Sequence, residues 1–195
     1  MEAKELISPP RLRGATFALA KDAPFADRLA WWLRGAHAAE RWFQFEWAYR
    51  LQDEVTPDWS VVCEVQTVDV VVRPVRDDSA PPAAGVEIKW YGNWWVDDLS
   101  MVRSDIDKIG NNQDVPCAAA LFFLDVEPKP DVEWLAWLPT QRKRRGTMES
   151  PSTLVSRCID QPADDRFDCP LAAHPAFDAG VLWCFVWYNK AYLQV

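Results

Sequence analysis

Histidine is scarce: only His37 and His174 occur in 195 residues. A His-rich metal centre, a zinc finger or a histidine-based triad is therefore hard to assemble. There is no Cys-X-X-Cys pair, and the five cysteines (63, 117, 158, 169 and 184) are odd in number and scattered. Cys63, Cys117 and Cys184 sit inside apolar runs, which reads as buried reduced thiols. No apolar stretch approaches the roughly 18 residues of a bilayer-crossing helix. Met1-Glu2-Ala3-Lys4-Glu5 lacks the basic start and apolar run of a signal peptide, so the expected location is cytoplasmic. Positive charge is also short, with 21 Lys and Arg against 29 Asp and Glu and a net charge of −8. That argues against a protein that coats nucleic acid by charge alone. It leaves room for an enzyme that uses a local basic patch and a bound cation.

What the chain does have is apolar mass. Hydrophobic residues make up 49% and charged residues 26%, a globular profile, and the length suits one domain with a substantial core. Twelve Trp are unusual at this length and imply large aromatic core pieces or an aromatic surface that meets a partner.

Taken in order, residues 1–23 hold Pro9-Pro10 and no clear period, and read as an N-terminal arm. From Pro24 to Val55 the apolar spacing is helical, with Gly35 dividing two helices, the second over 36–53. Ser60 to Gln66 and Thr67 to Val75 read as strands, and the dense Val run around 68–72 suggests a strand covered on both faces. A hairpin loop over 76–84 leads into Gly85-Val86-Glu87-Ile88-Lys89-Trp90, where apolar and charged residues alternate as on a strand with one buried face. Residues 97–110 read as a helix and 117–126 as an apolar strand. Beyond them, 132–138 and 181–188 are strand candidates, and 147–178 reads as mostly irregular. Three successive strands predict an antiparallel meander, after which the helix crosses over to lay the next strand parallel to a neighbour.

Asp69 is out of place in its Val run, because burying a lone carboxylate costs several kcal/mol unless it is paired or binds a metal. Glu87 and Lys89 project from one face of the adjacent strand. Mg²⁺ or Mn²⁺ takes hard oxygen ligands, and Asp69, Glu87 and the backbone carbonyl of Ile88 can supply them. Lys89 would stand beside the ion, to orient or deprotonate a water or to stabilise a charged phosphorus transition state.

Asp69 in Thr67-Val68-Asp69-Val70-Val71, followed eighteen residues later by Glu87-Ile88-Lys89, resembles the PD-(D/E)XK nuclease superfamily of the restriction endonuclease-like fold. A glutamate-bearing helix before the strands and Ser104-Asp105-Ile106-Asp107-Lys108-Ile109 after them are similar too. No Pro precedes Asp69, a departure shared by many members. The resemblance spans residues 36–126, with 127–195 as a C-terminal extension carrying extra strands. It implies an α/β domain with an α-β-β-β-α-β core and a mixed sheet flanked by helices. It further implies a Mg²⁺-dependent nuclease acting on nucleic acid, more readily DNA, of a kind found in defence and repair systems. A homodimer or a larger complex stays open.

The helix glutamate is Glu40 or Glu46. The two lie about 120° apart on a helix, so both are not expected at one ion. The preference goes to Glu46, since Phe43 and Trp47 place that region near the core. Arg142, Lys143, Arg144 and Arg145 suit a phosphate-contacting loop or a solvated one. Trp94 suits stacking on a base or core packing. Glu64, Asp105 and Lys108 read as outward-facing charges. The competing reading is a catalytically silent module of the same fold that recruits nucleic acid or a protein.

Overall fold

Pro9-Pro10 starts a helix rather than interrupting order. The computed structural model describes residues 2–35, 39–63, 68–77, 80–91, 99–112, 114–129 and 150–193. In it the expected arm is a 3₁₀ turn, Ala3–Ile7, followed by α1, Pro9–Ala20. Proline is tolerated in a first helical turn, where a backbone N–H has no intrahelical partner to lose. Leu6, Ile7, Leu12, Ala15 and Leu19 are all buried, so this segment belongs to the core.

Two more helices follow, α2 at Ala23–Gly35 and α3 at Ala39–Glu54. Along α3, Phe43, Trp47 and Leu51 recur every four residues and are fully buried. Phe43 packs on Trp90 with ring centroids 4.3 Å apart and on Phe122 at 4.8 Å. The Trp47 indole N–H donates to the Thr16 hydroxyl at 3.0 Å, tying α3 to α1.

Six strands form one mixed sheet: β1 Trp59–Cys63, β2 Val70–Pro74, β3 Ala84–Tyr91, β4 Cys117–Pro128, β5 Asp165–Pro170 and β6 Phe177–Tyr188. Their spatial order is β1-β2-β3-β4-β6-β5. The first three make the expected antiparallel meander, and β4 lies parallel to β3. Between β3 and β4 runs α4, Ser100–Asn111. The strand β6 returns antiparallel to β4, and β5 pairs antiparallel on the outer side of β6.

Both faces of the sheet are covered. On one, α1–α3 bury Val70, Val72, Val86, Ile88, Trp90, Ala118, Ala120 and Phe122. On the other, α4 and α5 (Pro151–Cys158) bury Leu121, Phe123, Phe185 and Trp187. This double cover explains the continuous apolar run of β4.

Two expectations change with it. The Glu87/Lys89 face of β3 is not solvated but lies under α4, with Glu87 only 4% exposed. The stretch 147–178, expected to be mostly irregular, holds α5 and β5 within its described part, 150–178. Short elements punctuated by Pro and Asp carry little periodic signal, which is why the text hid them. The strand candidate at 132–138 lies outside the described residues. A last short helix, α6, spans Lys190–Leu193. Among the described residues, no helix is long and apolar enough to cross a membrane. No described cysteine is in a disulfide; Cys117 and Cys184 are buried and Cys63 is half-buried.

Candidate functional site

The pairing of β2 with β3 stops at Val70 opposite Val86, while β3 continues to Tyr91. Beyond that point β3 needs other partners for the backbone groups on its β2 side, because unpaired buried N–H groups are costly. Carboxylates supply them. Asp69, one residue before β2, accepts the Ile88 N–H at 2.7 Å through Oδ2. Glu40, on the first turn of α3, accepts the Trp90 N–H at 3.2 Å through Oε2. Asp69 is thus not inside the strand but at the fork where the two strands part. In an extended strand a residue's N–H and C=O point to the same side, so the Ile88 carbonyl also faces this fork.

Gly85 helps bring Asp69 in. A Cβ there would lie 3.0 Å from Val68 Cγ1 and 3.5 Å from Cys117 Sγ. Any larger residue would crowd the segment that carries Asp69.

Perpendicular to the sheet, alternation on β3 turns Glu87 and Lys89 toward α4. That helix meets them with the opposite charges. Lys108 forms an ion pair with Glu87. Asp105, one turn earlier, approaches the Lys89 ammonium at 3.8 Å. Glu40 reaches round the fork and holds the same ammonium at 3.2 Å through its other oxygen, Oε1. Glu40, Asp69, Glu87, Lys89, Asp105 and Lys108 therefore share one site built from α3, the β2–β3 fork and α4.

The electrostatics follow from this crowding. Burial pushes the Glu87 carboxyl up; the Lys108 ammonium pulls it back and the charges of Asp69 and Asp105 push it further, to about 7. Burial also raises Asp105, against the pull of Lys89. For Lys89 burial acts downward, but Glu40, Asp105 and Asp69 outweigh it and leave the ammonium pKa above its ordinary value. At neutral pH Lys89 is a fixed cation.

Among the expected site residues, Asp69, Glu87, Lys89 and the Ile88 backbone come together. The choice between the two helix glutamates resolves to Glu40, against the preference for Glu46. The Glu46 carboxylate pairs with the Arg28 guanidinium at 2.7 Å and has left the site. The signal for Glu40 was present: positions 40, 43 and 47 fall within about 60° of one another on a helix, so Glu40 shares the buried Phe43/Trp47 stripe. Asp105 and Lys108, expected to face solvent, are part of the site. Their spacing fits a solvated helix face equally well, and only the packing of α4 over β3 distinguishes the two. Glu64, Trp94, Arg142, Lys143, Arg144 and Arg145 lie outside the described residues.

Among the described residues, no group of three or more His, Cys, Asp or Glu side chains is drawn close enough to hold a metal by itself. The donor chemistry nevertheless fits a hard divalent ion. Mg²⁺ typically takes one or two carboxylates and completes its shell with waters, carbonyls and substrate oxygens. Asp69 and Glu87, with the Ile88 carbonyl at the same fork, provide that kind of partial set. Glu87, nearly fully buried, holds a charge only beside a cation, at present Lys108.

Comparison with known proteins adds no relative: no family model, no curated protein and no solved structure matches this chain.

Proposed function

We propose that this chain is a divalent-cation-dependent nuclease of PD-(D/E)XK type, with DNA as the favoured substrate and a restriction endonuclease-like core. The observation that carries the reading is the convergence of Glu40, Asp69, Glu87 and Lys89 at the β2–β3 fork. Asp69 and Glu87, with the Ile88 carbonyl, would hold Mg²⁺ or Mn²⁺, which when bound would activate water and polarise the phosphoryl group. Phosphodiester hydrolysis adds water across the P–O bond. The water oxygen joins phosphorus, and the ester oxygen leaves with a proton.

The chain's own part is positioning and charge. Lys89 is held as an ammonium by Glu40 and Asp105, so a general base is the weaker of its two roles. Its place is beside the phosphoryl oxygens, stabilising charge that grows in the transition state. Glu40 fixes that ammonium while its second oxygen anchors the Trp90 backbone, so one side chain sets both the cation and the strand. The buried floor of Val86, Ile88 and Trp90 keeps the fork rigid.

A second reading, the silent binding module, is favoured by one feature. Asp69 and Glu87 each already engage a partner, the Ile88 N–H and Lys108. The two readings separate in one assay. Plasmid, single-stranded DNA and RNA are incubated with the protein in Mg²⁺ or Mn²⁺, with EDTA and a Lys89→Ala variant as controls. Cation-dependent cleavage that falls by about 10³-fold in Lys89→Ala supports catalysis. Binding without cleavage supports the silent module. Cleavage insensitive to Lys89→Ala removes Lys89 from the mechanism.

A further inference from the structure

We infer that Lys108 is a built-in counter-ion: its ammonium holds Glu87 in the ion-free protein, gives way to an entering divalent cation, and thereby sets the cation affinity. The inference rests on the proposed function, because it concerns the same carboxylates. It starts from an asymmetry in the ion pair. The Glu87 side chain is 4% exposed and belongs to a strand paired on both sides near its base, whereas the Lys108 side chain is 50% exposed. Glu87 cannot leave. Lys108 can swing its long stem into water without opening a cavity.

The helix beneath it is held by other contacts. Val102 and Ile109 are buried, and Asp105 faces Lys89 from the preceding turn. Lys108 can therefore detach while α4 stays docked. The two lysines differ in this respect: Lys89 is gripped by Glu40 and Asp105 and its side chain is 16% exposed. Lys89 reads as fixed equipment and Lys108 as the replaceable charge.

The charge balance points the same way. Glu40, Asp69, Glu87 and Asp105 face Lys89 and Lys108. Without Lys108, Glu87 would be buried beside two other carboxylates and could ionise only beside another cation, staying protonated otherwise. A divalent ion on Asp69 and Glu87 supplies that charge. Lys108 and the ion therefore compete for one carboxylate, and removing the competitor should strengthen ion binding.

The test is Mn²⁺ binding without nucleic acid, followed by electron paramagnetic resonance, on wild type, Lys108→Gln, Lys108→Arg and Asp69→Asn. Lys108→Gln is expected to bind Mn²⁺ roughly tenfold more tightly, since a like charge a few ångströms from the ion is gone. Lys108→Arg keeps the charge and should stay at or below wild-type affinity. Thermal melts give a second readout. Ion-free Lys108→Gln should melt below wild type, and Mn²⁺ should raise its melting point by more. Unchanged or weaker Mn²⁺ binding by Lys108→Gln overturns the inference, and Lys108 is then a structural partner of Glu87. If wild type binds Mn²⁺ and Asp69→Asn does not, that result leaves the ion site standing. If neither wild type nor Lys108→Gln binds Mn²⁺, with or without added nucleic acid, the ion site falls and the role of Lys108 falls with it.

Discussion

Glu87→Gln isolates the electrostatic cost of the buried site. In the folded chain burial, Asp69 and Asp105 hold the Glu87 carboxyl at about 7 despite Lys108, against 4.5 for an ordinary glutamate. A raised folded-state pKa means that the folded protein prefers the protonated form. Stability from this group is thus complete below about pH 4.5 and is lost as pH rises through about 7. The gap of about 2.5 units corresponds to about 3 kcal/mol in all, most of it lost between pH 5 and 8. Glutamine fills the same space and does not titrate, so its curve should lack this loss. The assay is urea denaturation of both proteins across pH 5 to 8, with chelator present so that no cation fills the site. Wild type should fall relative to Glu87→Gln by about 2 to 3 kcal/mol over that range. Parallel curves would refute the reasoning, because Glu87 would then ionise as freely in the folded chain as in water.

Two further substitutions probe how the site is assembled. Glu40→Gln should lower cleavage by about 10- to 100-fold, because Lys89 and the Trp90 backbone lose a charged anchor. Glu46→Gln should stay within about threefold in the same cleavage assay, losing only about 1 kcal/mol from its Arg28 pair. Asn189 pins the end of α4 to the start of β4: its amide donates to the Asn112 and Val115 carbonyls at 2.6 and 2.8 Å, and its oxygen accepts the Cys117 N–H at 3.0 Å. Asn189→Asp would set a carboxylate against two carbonyl oxygens and should cost at least about 3 kcal/mol in urea denaturation. A loss below about 1 kcal/mol would mean that the α4–β4 junction is held elsewhere.

The strands near the site were legible because their signals are local. Alternation marked β3, the apolar run marked β4, and an aspartate among valines marked the fork. The helix glutamate is legible only when each candidate's angle to the Phe43/Trp47 stripe is counted, since closeness in sequence alone favours Glu46. Asp105 and Lys108 were hidden for a different reason. Charges three residues apart look the same over water as over a buried ion pair, and only the docking of α4 on Glu87 and Lys89 gives them a role. The first helix is hard to see because a proline pair reads as a break rather than a start, although Leu12 and Leu19 lie two turns apart on one face. The α/β class and the mixed sheet could be read in advance because three strands followed by a crossover helix leave few arrangements.

The proposed nuclease requires Asp69 and Glu87 to share one divalent ion across the β2–β3 fork. Counting bound Mn²⁺ by electron paramagnetic resonance, in wild type beside Asp69→Asn and Glu87→Gln, tests this most directly. The expected result is one Mn²⁺ per wild-type chain, displaced by excess Mg²⁺ and lost or much weakened in both variants. Binding that survives both substitutions, or no binding in wild type with nucleic acid present, would contradict it.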